Sequence, residues 1–81
     1  MITEYINAAM QRAVISPLED TGELFGEIPG LQGVWSAEAT PEACREELRD
    51  ALESWLVFRL TQGMTIPILD GIDLGFATPI V

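Results

Sequence analysis

Residues 22–44, Gly-Glu-Leu-Phe-Gly-Glu-Ile-Pro-Gly-Leu-Gln-Gly-Val-Trp-Ser-Ala-Glu-Ala-Thr-Pro-Glu-Ala-Cys, decide how this chain folds. The run from Glu23 to Ile28 reads as a strand, Pro29-Gly30 breaks it, and Leu31 to Ala37 resumes it. The stretch therefore predicts two antiparallel strands joined by a Pro-Gly loop. Thr40-Pro41-Glu42 then opens a helix. Threonine at the N-cap accepts an orphan backbone N–H, proline fits the first helical position because its missing N–H is not needed there, and Glu42 faces the positive end of the helix dipole. The helix should run to about Gln62, where Gly63 supplies the stop.

Upstream, Ala13 to Leu18 predicts another strand, with Pro17 marking an edge position, and Glu19-Asp20-Thr21-Gly22 predicts the turn that follows. The three strands make an antiparallel meander. Ile2, Ile6, Ala9, Met10 and Ala13 recur at helical spacing, so a short amphipathic helix is expected from about Thr3 to Arg12, either as a lid on the core or as an oligomer contact. Downstream, Thr65 to Leu69 predicts a short fourth strand and Asp70-Gly71 a turn. The tail from Ile72 to Val81 is apolar and glycine-containing, which predicts an extended segment lying against something.

On the long helix, Cys44, Leu48, Ala51, Leu52, Trp55 and Phe58 form a stripe predicted to pack on the sheet, with Glu46, Asp50 and Glu53 opposite. Val57 and Leu60 project into the sector that is acidic earlier in the helix. One helix cannot turn both sectors to the same sheet, so the N-terminal helix, the tail or another subunit must cover these two residues. Together with a 48% hydrophobic composition, this predicts self-association to at least a dimer, with Val57 and Leu60 as contacts.

The fold class is therefore α+β: a short helix, a three-stranded meander, a long helix on one face, a short fourth strand and an extended tail. With 81 residues the chain is expected to form a single domain over 1–81, residues 1–12 being a helical extension and 72–81 the tail. There is one cysteine and no histidine, so neither an internal disulfide nor a zinc site of the usual kind is available, and no cofactor or metal is expected. Glu23 and Glu27 share a strand face, but Phe25 stands between them and the spacing is too long for one small ion. A histidine general base is impossible, and Cys44 on the core stripe reads as a buried, inert thiol. The chain is not expected to be an enzyme.

Thirteen acidic residues face four arginines and no lysine, for a net charge of −9. Nucleic acid would repel such a surface, since binding it depends on neutralising phosphates. A basic protein is the natural partner; the charge equally serves simply to keep a small protein soluble. No apolar run approaches the length of a membrane span and no signal-peptide pattern opens the chain, so a cytoplasmic location is expected.

Alternation along the second strand sends Leu24 and Ile28 to one side and Glu23, Phe25 and Glu27 to the other. If the first pair faces the helix, Phe25 stands outside between two carboxylates, with Trp35 of the next strand sharing the face. Such a surface offers an arginine-rich partner apolar area, cation–π attraction and charge pairing. The reverse parity would bury Phe25, and a symmetry mate would equally cover it. Trp55, on the helix stripe, reads as core.

In this order, the elements resemble the HicB-like antitoxin family. Its pattern is a strand ending in Pro-x-Leu-x-Gly, a short second strand and a Thr-x-Glu-Glu-Ala-like helix start, matched here by Gly22, Phe25, Pro29, Gly30, Leu31, Gly33, Thr40, Glu42 and Ala43. The resemblance spans Ala13 to Leu74, and Ile66 to Leu74 is similar to the end of short, single-domain members. It implies a partial ribonuclease H-like fold and a partner, a small basic HicA-type toxin that cuts messenger RNA with a histidine the antitoxin covers. Longer members add a C-terminal operator-binding segment. This sequence stops before one, so no DNA-binding domain is expected. Glu38 departs from the pattern, standing where relatives often carry glycine. A different reading of the same fold is a solitary oligomeric scaffold with no toxin partner.

Overall fold

The computed structural model describes residues 2–74. It contains α1 (Ile2–Gln11), β1 (Val14–Pro17), β2 (Leu24–Glu27), β3 (Trp35–Glu38) and α2 (Pro41–Gln62). The strands form one antiparallel sheet in the order β1-β2-β3, the expected meander. The long helix begins and ends as its sequence predicts. Thr40 Oγ1 accepts the Ala43 N–H at 3.2 Å, and Gly63 adopts φ 67°, sending its N–H back to the carbonyls of Arg59 and Leu60.

The helix meets the sheet at Gly26. A Cβ at this position would lie 2.7 Å from Ser36 Oγ and 3.0 Å from Cys44 Sγ. Close approach, not an unusual backbone angle, is what glycine provides here. Ser36, buried beneath α2, donates to the Cys44 carbonyl at 2.8 Å, and among the described residues no buried side-chain N or O atom is left without a partner.

Cys44, Leu48, Leu52 and Leu56 form the buried line of α2. The expected stripe holds for its first half, but Phe58 is 58% exposed and Leu56 takes its place in the core. The reason is geometric. Four residues turn an α-helix by slightly more than one revolution, so an i, i+4 line drifts around the helix. The line passes from the sheet at Cys44 into the cluster that also holds Tyr5, Ile6, Ala9, Met10 and Leu69.

α1 is a layer of the core: Tyr5, Ile6, Ala8, Ala9 and Met10 are buried, and Ile2 is exposed. Tyr5 donates its hydroxyl to the Pro67 carbonyl at 2.6 Å, tying the first helix to the segment after the second. Burial pushes the Tyr5 phenol above its ordinary value of 10.0, with the Arg12 charge pulling the other way. The neutral phenol is therefore preferred by the folded chain. Its contribution is complete below the unfolded-state value and is lost as pH rises from there through the raised folded-state value. Tyr5 is the chain's one tyrosine, so absorbance titration reads it directly. Tyr5→Phe should cost about 1 kcal/mol in urea denaturation at neutral pH and remove this alkaline loss of stability.

Two expected strands differ from the structure. Leu31 to Val34 is not part of β3; it forms turns that drop Leu31 and Val34 into the core, and the strand begins at Trp35. Thr65 to Leu69 is not a fourth strand but an irregular segment ending in a single bridge between Leu69 and Ile72. Pro67 cannot donate to a ladder, and the carbonyls of Thr65 and Pro67 receive side-chain donors from Arg59 and Tyr5. Leu69 is buried, and Ile66, Ile72 and Leu74 pack against the core. The expected tail beyond Leu74 lies outside the described residues. No described helix is long and apolar enough to cross a membrane.

Candidate partner-binding face

The register settles which side of the sheet each residue takes. Ile15, Gly26 and Ser36 stand opposite one another across the strands, and Gly26 and Ser36 face α2. Residues paired directly across antiparallel strands share a face, and neighbours along a strand alternate. The rows Val14–Glu27–Trp35 and Ser16–Phe25–Ala37 therefore point away from the helix. The parity that leaves Phe25 outside is the one observed.

On this outer face Phe25 and Trp35 stack diagonally across β2 and β3, with ring centroids 6.1 Å apart and planes inclined by 20°. Phe25 is half-buried, and Trp35 is 57% exposed. Glu27 is exposed between Val14 and Trp35, next to the aromatic pair. Glu23 is exposed too, but it precedes β2 and is held at the turn, its N–H donating to Thr21 Oγ1 at 3.2 Å. The structure thus brings Phe25, Glu27 and Trp35 together and puts Glu23 at the margin. Val14 joins them as an exposed apolar residue; only the β1–β2 register could have placed it there.

The segment that builds the sheet carries charge of one sign. Between Ala13 and Cys44 the sequence has no basic residue, while Glu19, Asp20, Glu23, Glu27, Glu38 and Glu42 fall within it. The arginines lie on the helices and their ends. Arg12 pairs with Asp70, Arg49 approaches Asn7, and Arg59 sits 4.6 Å from the centre of the Trp55 ring while donating to the Thr65 carbonyl. Trp55 is half-buried at the rim of the core, not inside it, and donates its indole N–H to the Gln32 carbonyl at 3.2 Å. Cys44 is buried, as expected, with its sulfur 3.3 Å from Ser36 Oγ. Among the described residues no three His, Cys, Asp or Glu side chains gather as a metal site.

The second surface read from the sequence lies at the end of α2. Val57 is 60% exposed, but Leu60 is half-buried and Phe58 stands beside Val57 in its place. Val57 and Phe58, with Glu53, Ser54 and Thr61, line a shallow groove along the solvent side of α2.

Fold and face define a small sheet-and-helix module whose outer sheet face, among the described residues, carries an exposed aromatic pair beside a carboxylate. Residues 4–67 match the model of the UPF0150-like family, and the chain belongs to that family, which is associated with small toxin–antitoxin-type proteins. The match takes in most of α1. Among solved structures, the chain is similar to the crystal structure of TTHA0281 from Thermus thermophilus, with 38% identity, a TM-score of 0.85, and 98% of this chain and 95% of that one covered. No curated protein matches.

Proposed function

We propose that this protein is a HicB-like antitoxin, or a binding protein derived from one, that neutralises a small basic RNA-cleaving toxin by direct stoichiometric binding. The observation that carries the reading is the Phe25–Trp35 stack on the outer sheet face, Trp35 exposed and Phe25 half-buried, with Glu27 exposed beside it. Interfaces are anchored by buried aromatic residues, and opposite charge speeds the encounter and fixes the register of the partner. Membership of the UPF0150-like family supports the same reading. The chain acts without catalysis and does not bind nucleic acid by itself, since its arginines form no surface that tracks phosphates. Val57, with Phe58 and the margin of Leu60, provides a contact for self-association to at least a dimer.

The test is co-expression with the small basic protein encoded beside this gene. Growth should be rescued, and the two chains should co-purify in a fixed ratio. Failure to rescue and to co-purify, or the absence of any such neighbouring gene, would leave the scaffold reading in its place.

A further inference from the structure

On its solvent side α2 carries a line of exposed residues spaced alternately by three and four: Glu47, Asp50, Ser54, Val57 and Thr61, with Phe58 beside it. This spacing keeps one side of a helix turned toward a facing helix. The line changes character along its length. Its first two members are carboxylates, whereas Ser54 to Gln62 contains no acidic residue. Ser54, Val57, Phe58 and Thr61 stand at i, i+3, i+4 and i+7, the four corners of a hole that receives one side chain of a facing helix. With Glu53 at the edge they line the groove of about 450 Å³, and Val57 and Phe58 are 60% and 58% exposed there.

The hole and a ring that fits it belong to the same helix. When a second α2 lies antiparallel on the first, with a twofold axis passing at Val57 and Phe58, each Phe58 enters the other copy's hole and Ser54 of each copy lies level with Thr61 of the other. Charge selects the same arrangement. A parallel pair sets Glu47 and Asp50 against their own copies, while in the antiparallel pair both run past the point where the facing helix ends at Gly63. The four corners are uncharged, so the groove favours a fitting apolar ring over a basic partner.

On the footing that the chain self-associates, we propose that a second copy occupies this groove as an antiparallel α2–α2 pair, with each Phe58 ring seated in the hole of the other copy. Phe25 and Trp35 point away from α2, so both outer sheet faces stay open in the pair. Each chain carries a net charge of −9, so the copies repel at long range while an apolar contact holds them. Salt that screens the repulsion should therefore tighten the pair, whereas it should loosen a complex with a basic toxin.

Sedimentation equilibrium of the chain alone provides the test, and because no toxin is present its failure leaves the toxin reading intact. The expected result is a dimer whose affinity rises at least about threefold between about 50 mM and about 500 mM salt. Phe58→Glu should be a monomer with an unchanged circular dichroism spectrum. A disulfide reads the orientation: Ser54→Cys and Thr61→Cys chains should cross-link when mixed and oxidised, and neither should do so alone, Cys44 being buried. A monomer in every salt would overturn the proposal and leave the groove to a different partner. A dimer that salt loosens or that Phe58→Glu leaves intact would overturn it too, as would a mixture that fails to cross-link or that cross-links no better than either variant alone.

Discussion

Replacing Gly26 with alanine should lower the stability of this chain by about 3 kcal/mol, toward the upper end for overpacking a core. In a domain of this size the corresponding fall in Tm is more than about 10 °C. The new methyl group would sit 2.7 Å from Ser36 Oγ and 3.0 Å from Cys44 Sγ, with Leu48 Cδ2 3.5 Å away. Neither close neighbour can move freely. Ser36 is held to the Cys44 carbonyl, and Cys44 lies on the buried line of α2, its sulfur 3.5 Å from the Leu24 carbonyl. The helix must lift from the sheet, loosening Leu48 and Leu52 as well. Ser36→Ala removes the nearest atom, so the Gly26→Ala/Ser36→Ala pair should be less destabilised than the sum of the two single changes. Additive losses in urea denaturation would show that the contact at Gly26 is not where helix and sheet meet.

The other large effect is on binding. Phe25→Ala together with Glu27→Lys should weaken the complex with a basic toxin by well over tenfold while leaving the melting curve close to that of the parent. Loss of an aromatic anchor costs about 1–3 kcal/mol, and reversing the charge adds repulsion and slows encounter. Both side chains belong to rows that point away from α2, so the core beneath Gly26 is not disturbed. Isothermal titration of parent and variant, with a circular dichroism melt of each, separates the two effects. A folded variant that binds with unchanged affinity would move the proposed toxin site elsewhere, the segment from Leu74 onward being the next candidate.

Local chemistry made α2 legible from Thr40 to Gly63, because capping and stop signals act within a few residues. The meander was legible for the same reason, since Asp20-Gly22 and Pro29-Gly30 turn the chain wherever they occur. What the sequence hid depends on contacts between distant residues. Leu31 and Val34 look like strand residues, but they are drawn into the core and leave Trp35 to start β3. The Phe58 position turned on the length of the sheet under α2, which no pattern within the helix records. The role of Tyr5 is not legible in the sequence, because its polar tip disguises a fully buried ring and its partner, the Pro67 carbonyl, is 62 residues away. On the candidate face, alternation was enough to pair Phe25 with Glu27, whereas bringing Trp35 into stacking contact with Phe25 required the β2–β3 register.

The chain's two tryptophans allow the central claim to be tested in one titration. Trp35 stands on the bare sheet face, and Trp55 holds its indole N–H against the Gln32 carbonyl at the rim of the core. Each gives one indole signal in a nitrogen–proton correlation spectrum, assigned by Trp35→Phe. As the basic toxin is added, the Trp35 signal should shift or broaden until the partners are equimolar, and the Trp55 signal should stay in place. A titration that moves Trp55 and leaves Trp35 untouched would contradict the account.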